Sequence, residues 1–162
     1  MNYKKITIDD LAFLNEVRNE CAGEFLHDST TFTLEETKKW FKKYKPDYYI
    51  IVKNSNRIGY FRTSNYSEVN KNLYVGADLH SNYRGLGLGY IAYLEFMELL
   101  FEKYDLHKIS LEVLANNKRA FYLYHKLGFH VDGVKREEVY KNDMYVDSII
   151  MSILRKEFYE KL

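Results

Sequence analysis

One cysteine, Cys21, and one proline, Pro46, stand among 162 residues. A lone thiol forms no internal disulfide, and the five histidines show no zinc-ligand spacing. Net charge is almost absent: 24 Lys and Arg stand against 23 Asp and Glu, leaving +1. That balance argues against nucleic acid as the main partner. No apolar run approaches the roughly 20 residues that span a bilayer. The opening MNYKKITIDD lacks the hydrophobic stretch of a signal peptide. The expectation is a cytoplasmic, metal-free protein with neither membrane nor nucleic acid as partner.

What is present points to a folded chain. Hydrophobic residues make up 46%, and the length suits a single domain, residues 1–162, with a sizeable core. Tyrosine is abundant, at 16. Residues 3–8 read as a strand, and Asp9 is placed to cap a helix over 10–20 with Leu11, Leu14, Val17 and Cys21 on one stripe. Residues 21–32 show no period. Thr33-Leu34-Glu35-Glu36 fits a capping box, in which hydroxyl and carboxylate each satisfy an orphan N–H. It opens a short helix containing Trp40 and Phe41. Strands follow at 48–53 and 57–63 around the turn Asn54-Ser55-Asn56. Further on, 108–114 reads as a strand, and 117–126 as a helix closed by Gly128. Residues 129–140 and 144–154 form a last antiparallel pair turning at 141–143. The pattern is mixed α/β with a mostly antiparallel sheet.

The most informative stretch is 73–90, LYVGADLHSNYRGLGLGY. A strand with Leu73, Val75, Ala77 and Leu79 on one face runs into Arg84-Gly85-Leu86-Gly87-Leu88-Gly89. A long apolar helix to about Tyr104 follows. Glycines bring backbone close to a ligand, and the first helical N–H groups lack intrahelical partners, so the arrangement makes an anion cradle. A Rossmann site needs a different glycine spacing and an acidic residue at the tip of the next strand. Asp105 precedes that strand instead. A Walker A loop needs Gly-Lys-Ser/Thr, which is missing. On its own the glycine string also suits a tight structural turn.

Downstream, Asn117-Lys118-Arg119-Ala120-Phe121-Tyr122-Leu123-Tyr124-His125-Lys126-Leu127-Gly128-Phe129 resembles the second signature of the GNAT superfamily of N-acetyltransferases. Arg84-x-x-Gly87-x-Gly89 resembles its coenzyme A pyrophosphate motif. The resemblance covers residues 73–154 and, more loosely, the whole chain, and is nearest the branch of ribosomal-protein N-terminal, spermidine and sugar-nucleotide amine acetyltransferases. It implies a six- to seven-stranded, mostly antiparallel sheet flanked by about four helices and splayed between strands 73–80 and 108–114. Acetyl-CoA is the implied co-substrate. Ala77, Asp78 and Leu79 are implied to pair with its pantetheine arm. The backbone of Arg84, Gly85, Leu86, Gly87, Leu88, Gly89 and Tyr90 is implied to hold its pyrophosphate, with Leu86 and Leu88 facing the core. Asn117 and Lys126 are implied cofactor contacts, although Asn117 is also a natural helix cap. Gly76 marks either a strand bulge or a plain strand glycine.

Acetyl transfer requires a deprotonated amine, a stabilised oxyanion and a protonated leaving thiolate. Tyr124 matches the superfamily tyrosine that protonates the sulfur, and an ordinary phenol pKa of about 10 suits a proton donor. Its competing role is that of a core aromatic on a stripe with Ala120 and Leu127. The superfamily's frequent glutamate on the preceding strand is Tyr74 here. Glu112, twelve residues before Tyr124, matches the base of ribosomal-protein alanine acetyltransferases and equally suits the polar face of a strand. Asp78 and water are the other routes for the amine proton. Residues 18–33 and 140–145 are expected to select the acceptor, with Arg18, Glu24, Asp28 and Tyr140 as candidates. Glu24 and Asp28 would draw a cationic amine, and Arg18 a sugar-nucleotide phosphate. A small-molecule amine is expected ahead of a protein N-terminus, with a homodimer consistent with the aromatic-rich composition. The rivals are an acyl-CoA-binding module without catalysis and a nucleotide-binding domain.

Overall fold

The computed structural model describes residues 1–162. Seven strands form one sheet: β1 (Asn2–Lys5), β2 (Tyr48–Lys53), β3 (Asn56–Ser67), β4 (Asn72–Leu79), β5 (Lys108–Leu114), β6 (His130–Lys141) and β7 (Met144–Leu154). Five helices accompany them: α1 (Leu11–Ala22), α2 (Leu34–Tyr44), α3 (Leu88–Lys103), α4 (Lys118–Leu127) and α5 (Arg155–Lys161). The strand order is β1-β2-β3-β4-β5-β7-β6. Strands β4 and β5 run parallel, whereas β1–β2, β2–β3, β5–β7 and β6–β7 are antiparallel. The β4–β5 register covers Asn72–Tyr74 against Lys108–Ser110, and beyond Tyr74 the two strands are no longer partners. The chain divides into two compact units, Met1–Thr63 with Gly76–Ala92, and Ser64–Val75 with Tyr93–Leu162. No helix is long and apolar enough to cross a membrane.

In the first unit, the α1 stripe of Leu11, Leu14, Val17 and Cys21 is buried with Ile6, Ile50 and Tyr60. Asp10, not Asp9, fixes the entry to α1. It ends a single 3-10 turn, so its carboxylate reaches back to the Thr7 N–H at 3.0 Å while Asp9 stays exposed. The Thr33 box forms as expected: the Thr33 N–H donates to Glu36 at 2.8 Å, and the Glu36 N–H donates to the Thr33 hydroxyl at 3.2 Å. The β2–β3 turn is tighter than the sequence suggested. Asn54 and Ser55 take left-handed φ values of 47° and 65°, and Asn56 already belongs to β3. Such two-residue turns match the twist of a hairpin.

In the second unit, Asn142 and Asp143 repeat that device between β6 and β7, with φ of 51° and 61°. The sequence reading stopped at β7 and missed α5, a seven-residue segment too short for a periodic signal. Its Phe158 is 1% exposed and meets Phe101 at 5.2 Å between ring centroids. Burying such a side chain contributes roughly 1.5–3 kcal/mol. The Leu154 N–H donates to Glu157 at 2.9 Å, closing the start of the helix.

Two consequences are measurable. Burial pushes the Asp10 carboxyl up, but donation from Lys4, Thr7 and Arg57 outweighs it and holds the pKa at about 2, below the ordinary 3.8. A depressed carboxyl stabilises the fold above its unfolded pKa, and that contribution is lost as pH falls from 4 toward 2. Chemical denaturation at pH 5 and pH 2 should therefore show about 2 kcal/mol of acid loss that Asp10→Asn abolishes. On β3, a Cβ at Gly59 would stand 2.4 Å from the Asp78 carbonyl oxygen. Backbone cannot yield cheaply, so Gly59→Ala should cost about 1–3 kcal/mol in urea denaturation.

Candidate active site

The first unit carries the glycine turn expected to cradle an anion. β4 ends at Leu79, a 3-10 turn spans Ser81–Tyr83, and Arg84 to Gly87 form the turn into α3. Gly85 and Gly87 adopt φ of 83° and 74°, a region where a side chain brings strain. A Cβ at Gly87 would meet nothing within 4 Å, so the turn leaves open space above its backbone. The Tyr90 N–H turns back to the Gly87 carbonyl at 3.2 Å. The N–H groups of Leu88 and Gly89, in the first turn of α3, lie ahead of the intrahelical ladder. An open glycine turn at the mouth of a 16-residue helix suits the diphosphate of acetyl-CoA. Leu88 is buried as expected. Leu86 is not: it is 64% exposed, because the two left-handed glycines lift it to the apex of the turn.

Arg84 does not project into this space. Its Nε donates to the Leu79 carbonyl at 2.8 Å, and its Nη2 reaches Glu20 at 3.2 Å and the Cys21 sulfur at 3.2 Å. Its guanidinium also lies 5.4 Å from the Phe25 ring centre. Arg84 thus fastens the end of β4 to α1. Burial, reinforced by Asp78, pushes the Cys21 thiol up to about 12, so it meets Arg84 as a neutral S–H. Glu20 also accepts from the Ser81 N–H and hydroxyl, each at 3.1 Å, and lies 3.7 Å from His80.

A cavity of about 340 Å3 opens in the same unit, lined by residues of α1, α2, β2, β3 and the segment between the helices. Arg18 and Asp28, two of the expected acceptor residues, line it and pair with each other at 3.3 Å. Arg18 also donates to the Thr30 carbonyl and lies 4.4 Å from the Phe32 ring centre. Glu24 is exposed and does not line the cavity, nor does Tyr140, whose ring lies tilted against Tyr145 at 5.1 Å in the second unit. Sequence reasoning missed Tyr48, Tyr60 and Arg62. One signal was available. Arg62 follows the buried run Ile58–Phe61 on β3, and an arginine beside buried residues needs a partner.

That partner is Asp78. Its carboxylate, 6% exposed, stands 3.4 Å from Arg62, whose guanidinium lies over Gly76. A Cβ at Gly76 would come within 2.9 Å of Arg62 Nη2, so this glycine makes room for the ion pair. Burial and the nearby Asp78 charge raise the Tyr60 phenol well above its ordinary range, so it stays protonated.

The second unit holds the other candidates. Asn117 caps α4, accepting from the Ala120 N–H at 3.2 Å, and Gly128 closes it with φ of 102°. Tyr124 is 8% exposed, and its hydroxyl lies 3.2 Å from that of Tyr93 on α3. Lys126 is exposed at the end of α4. Glu112 accepts from Lys135 at 2.8 Å and from the Ser148 hydroxyl at 3.1 Å, and it raises the Lys135 ammonium above its ordinary pKa. Both donors favour a charged Glu112.

If Arg84 fastens the turn, Arg84→Leu should speed amide hydrogen exchange across Leu79–Gly87 and leave α2 unaffected. Unchanged protection in that segment would assign the anchoring elsewhere.

Likenesses to known proteins bear on this arrangement. Spermidine N(1)-acetyltransferase of Escherichia coli (strain K12) is 34% identical over 76 residues, which are 47% of this chain and 41% of that protein. YdaF of Bacillus subtilis (strain 168), whose ribosomal N-acetyltransferase name is provisional, is 23% identical over 100 residues, 62% of this chain and 55% of its own. The chain thus spans about half the length of these curated relatives. Among solved structures, spermidine N-acetyltransferase from Vibrio cholerae in complex with CoA and spermine superposes with a TM-score of 0.88 at 22% identity, covering 98% of this chain and 97% of the other. Likeness at that identity speaks for the fold. The model of the acetyltransferase (GNAT) domain matches residues 2–130, which take in the glycine turn, Glu112 and Tyr124. This chain belongs to the GNAT acetyltransferase domain family.

Proposed function

We propose that this chain transfers the acetyl group of acetyl-CoA to a primary amine of a small molecule, with a polyamine as the favoured acceptor. The observation that carries the reading is the glycine turn, with two left-handed glycines and open space above Gly87 at a helix mouth. In this reading the backbone of Ala77, Asp78, Leu79 and Gly85–Tyr90 holds the co-substrate, with Asn117 and Lys126 as further contacts. No metal takes part. The neutral amine attacks the thioester carbonyl, forming a C–N bond as the C–S bond breaks. Tyr124 gives its proton to the departing sulfur. Glu112, kept ionised by Lys135 and Ser148, takes the amine proton, and Asp78 serves as the counter-charge of Arg62.

The cavity supports an amine acceptor. Trp40 and Tyr48 offer aromatic surface to a cation, and Glu36 adds negative charge. The relative named for spermidine acetylation supports a polyamine. An amino-sugar nucleotide is the second reading, favoured by Arg18 and Arg62 on the same wall. The reading places the chain in the cytoplasm, where a lone Cys21 stays reduced. It includes a homodimer over the exposed Val131, Val134, Tyr140, Met144 and Tyr145.

Free-thiol release from acetyl-CoA, measured against spermidine, an amino-sugar nucleotide and an N-terminal peptide, tests the activity and ranks the acceptors. Spermidine should be fastest. Tyr124→Phe should lower kcat by about 10²–10⁴-fold with little change in acetyl-CoA affinity. Binding of CoA with no thiol release across the panel would leave a binding module and refute the transferase.

A further inference from the structure

We propose that Tyr93 is a positioning residue for proton transfer, its hydroxyl orienting that of Tyr124 and donating to it as the proton leaves. The inference rests on the reading of Tyr124 as the acid.

Tyr93 lies in the second turn of α3 and is 2% exposed. Its neighbours along the helix, Phe96, Met97, Leu100 and Phe101, are all fully buried and carry no hydroxyl. Phenylalanine would fill the same space, so packing alone does not call for the oxygen. A buried hydroxyl is costly unless bonded. This one lies 3.2 Å from the Tyr124 hydroxyl, with the rings edge to face at 5.4 Å and 76°. The perpendicular packing restrains both rings and leaves the two oxygens facing each other.

The chemistry follows from the bond order of the transfer. The O–H bond of Tyr124 breaks as an S–H bond forms on the leaving thiolate, which leaves negative charge on the Tyr124 oxygen. Tyr93 keeps its own proton and donates into that oxygen. Solvent returns a proton to Tyr124 as product departs. A hydrogen bond to an ionised oxygen is shorter and about twice as strong as a neutral one. The interaction thus strengthens as the transition state is approached, which is the condition for raising kcat rather than ground-state affinity. A donor to the phenolate also makes the phenol more acidic.

Tyr93→Phe should lower kcat about 10-fold while KM for acetyl-CoA stays within twofold. The alkaline limb of the kcat profile should move up by about one pH unit, because Tyr124 loses the donor that favours its ionised form. A packing role would not move that limb. In the Tyr124→Phe background the Tyr93 change should have no further effect on kcat. Where Tyr93→Phe fails to fold by thermal scan, two side chains of similar size at position 93 settle the matter. 4-Aminophenylalanine keeps a donor and should retain kcat within about threefold, whereas 4-methylphenylalanine lacks one and should lose about 10-fold. Equal rates for that pair, or an unmoved alkaline limb in Tyr93→Phe, overturn the proposal while the role of Tyr124 stands. Full turnover in Tyr124→Phe overturns the parent reading instead.

Discussion

The guanidinium of Arg84 is the constraint on which the cradle depends. The end of a strand and the mouth of a helix both expose backbone groups that need partners. In this chain the last carbonyl of β4 receives the Arg84 Nε, and the same side chain reaches Glu20 and Cys21 on α1. One residue thereby terminates the strand, sets where the turn begins and ties both to the core. With Arg84 committed to the protein, the proposed recognition of an anion would fall to the backbone of Gly85 to Gly89. That division of labour tolerates an apolar residue at the apex, and Leu86 stands there in solvent.

Paired charge governs the cavity of the first unit. Arg18 is matched by Asp28 and Arg62 by Asp78, so the two guanidiniums on its wall bring their own counter-ions. A buried charge is tolerated only with a partner, and Asp78 is nearly inaccessible. The pairing leaves the aromatic faces as the cavity's main offering to a ligand. Small residues make the arrangement feasible. Gly76 admits the Arg62 guanidinium over β4, and Gly59 lets the Asp78 carbonyl approach β3 closely.

In the second unit, hydrogen bonds give each candidate side chain its partners. Glu112 accepts from Lys135 and from the Ser148 hydroxyl. Tyr124 is buried against a second phenol on the neighbouring helix α3. Asn117, which reads both as a cap and as a ligand contact, does perform the cap.

Local chemistry was legible in the residues themselves. The Thr33 box, the helix over 117–126 closed by Gly128, the strand 108–114 and the glycine turn each depend on neighbours a few positions apart, so their bonds are encoded in spacing. The seven-residue α5 escaped because its formation depends on Phe158 meeting Phe101, a contact 57 positions away that no local pattern records. Asp10, not the expected Asp9, stands at the start of α1, and its carboxylate reaches back across one tight turn to Thr7 rather than capping the helix. Sequence alone therefore determined the order of the main elements as far as β7, the glycine turn and the family resemblance. Tertiary structure decided which arginine faces a cavity, which carboxylate is spoken for and which hydroxyl meets Tyr124. Those outcomes depend on side chains from distant segments sharing a few ångströms, where a charge or a hydroxyl persists only if the fold supplies its partner.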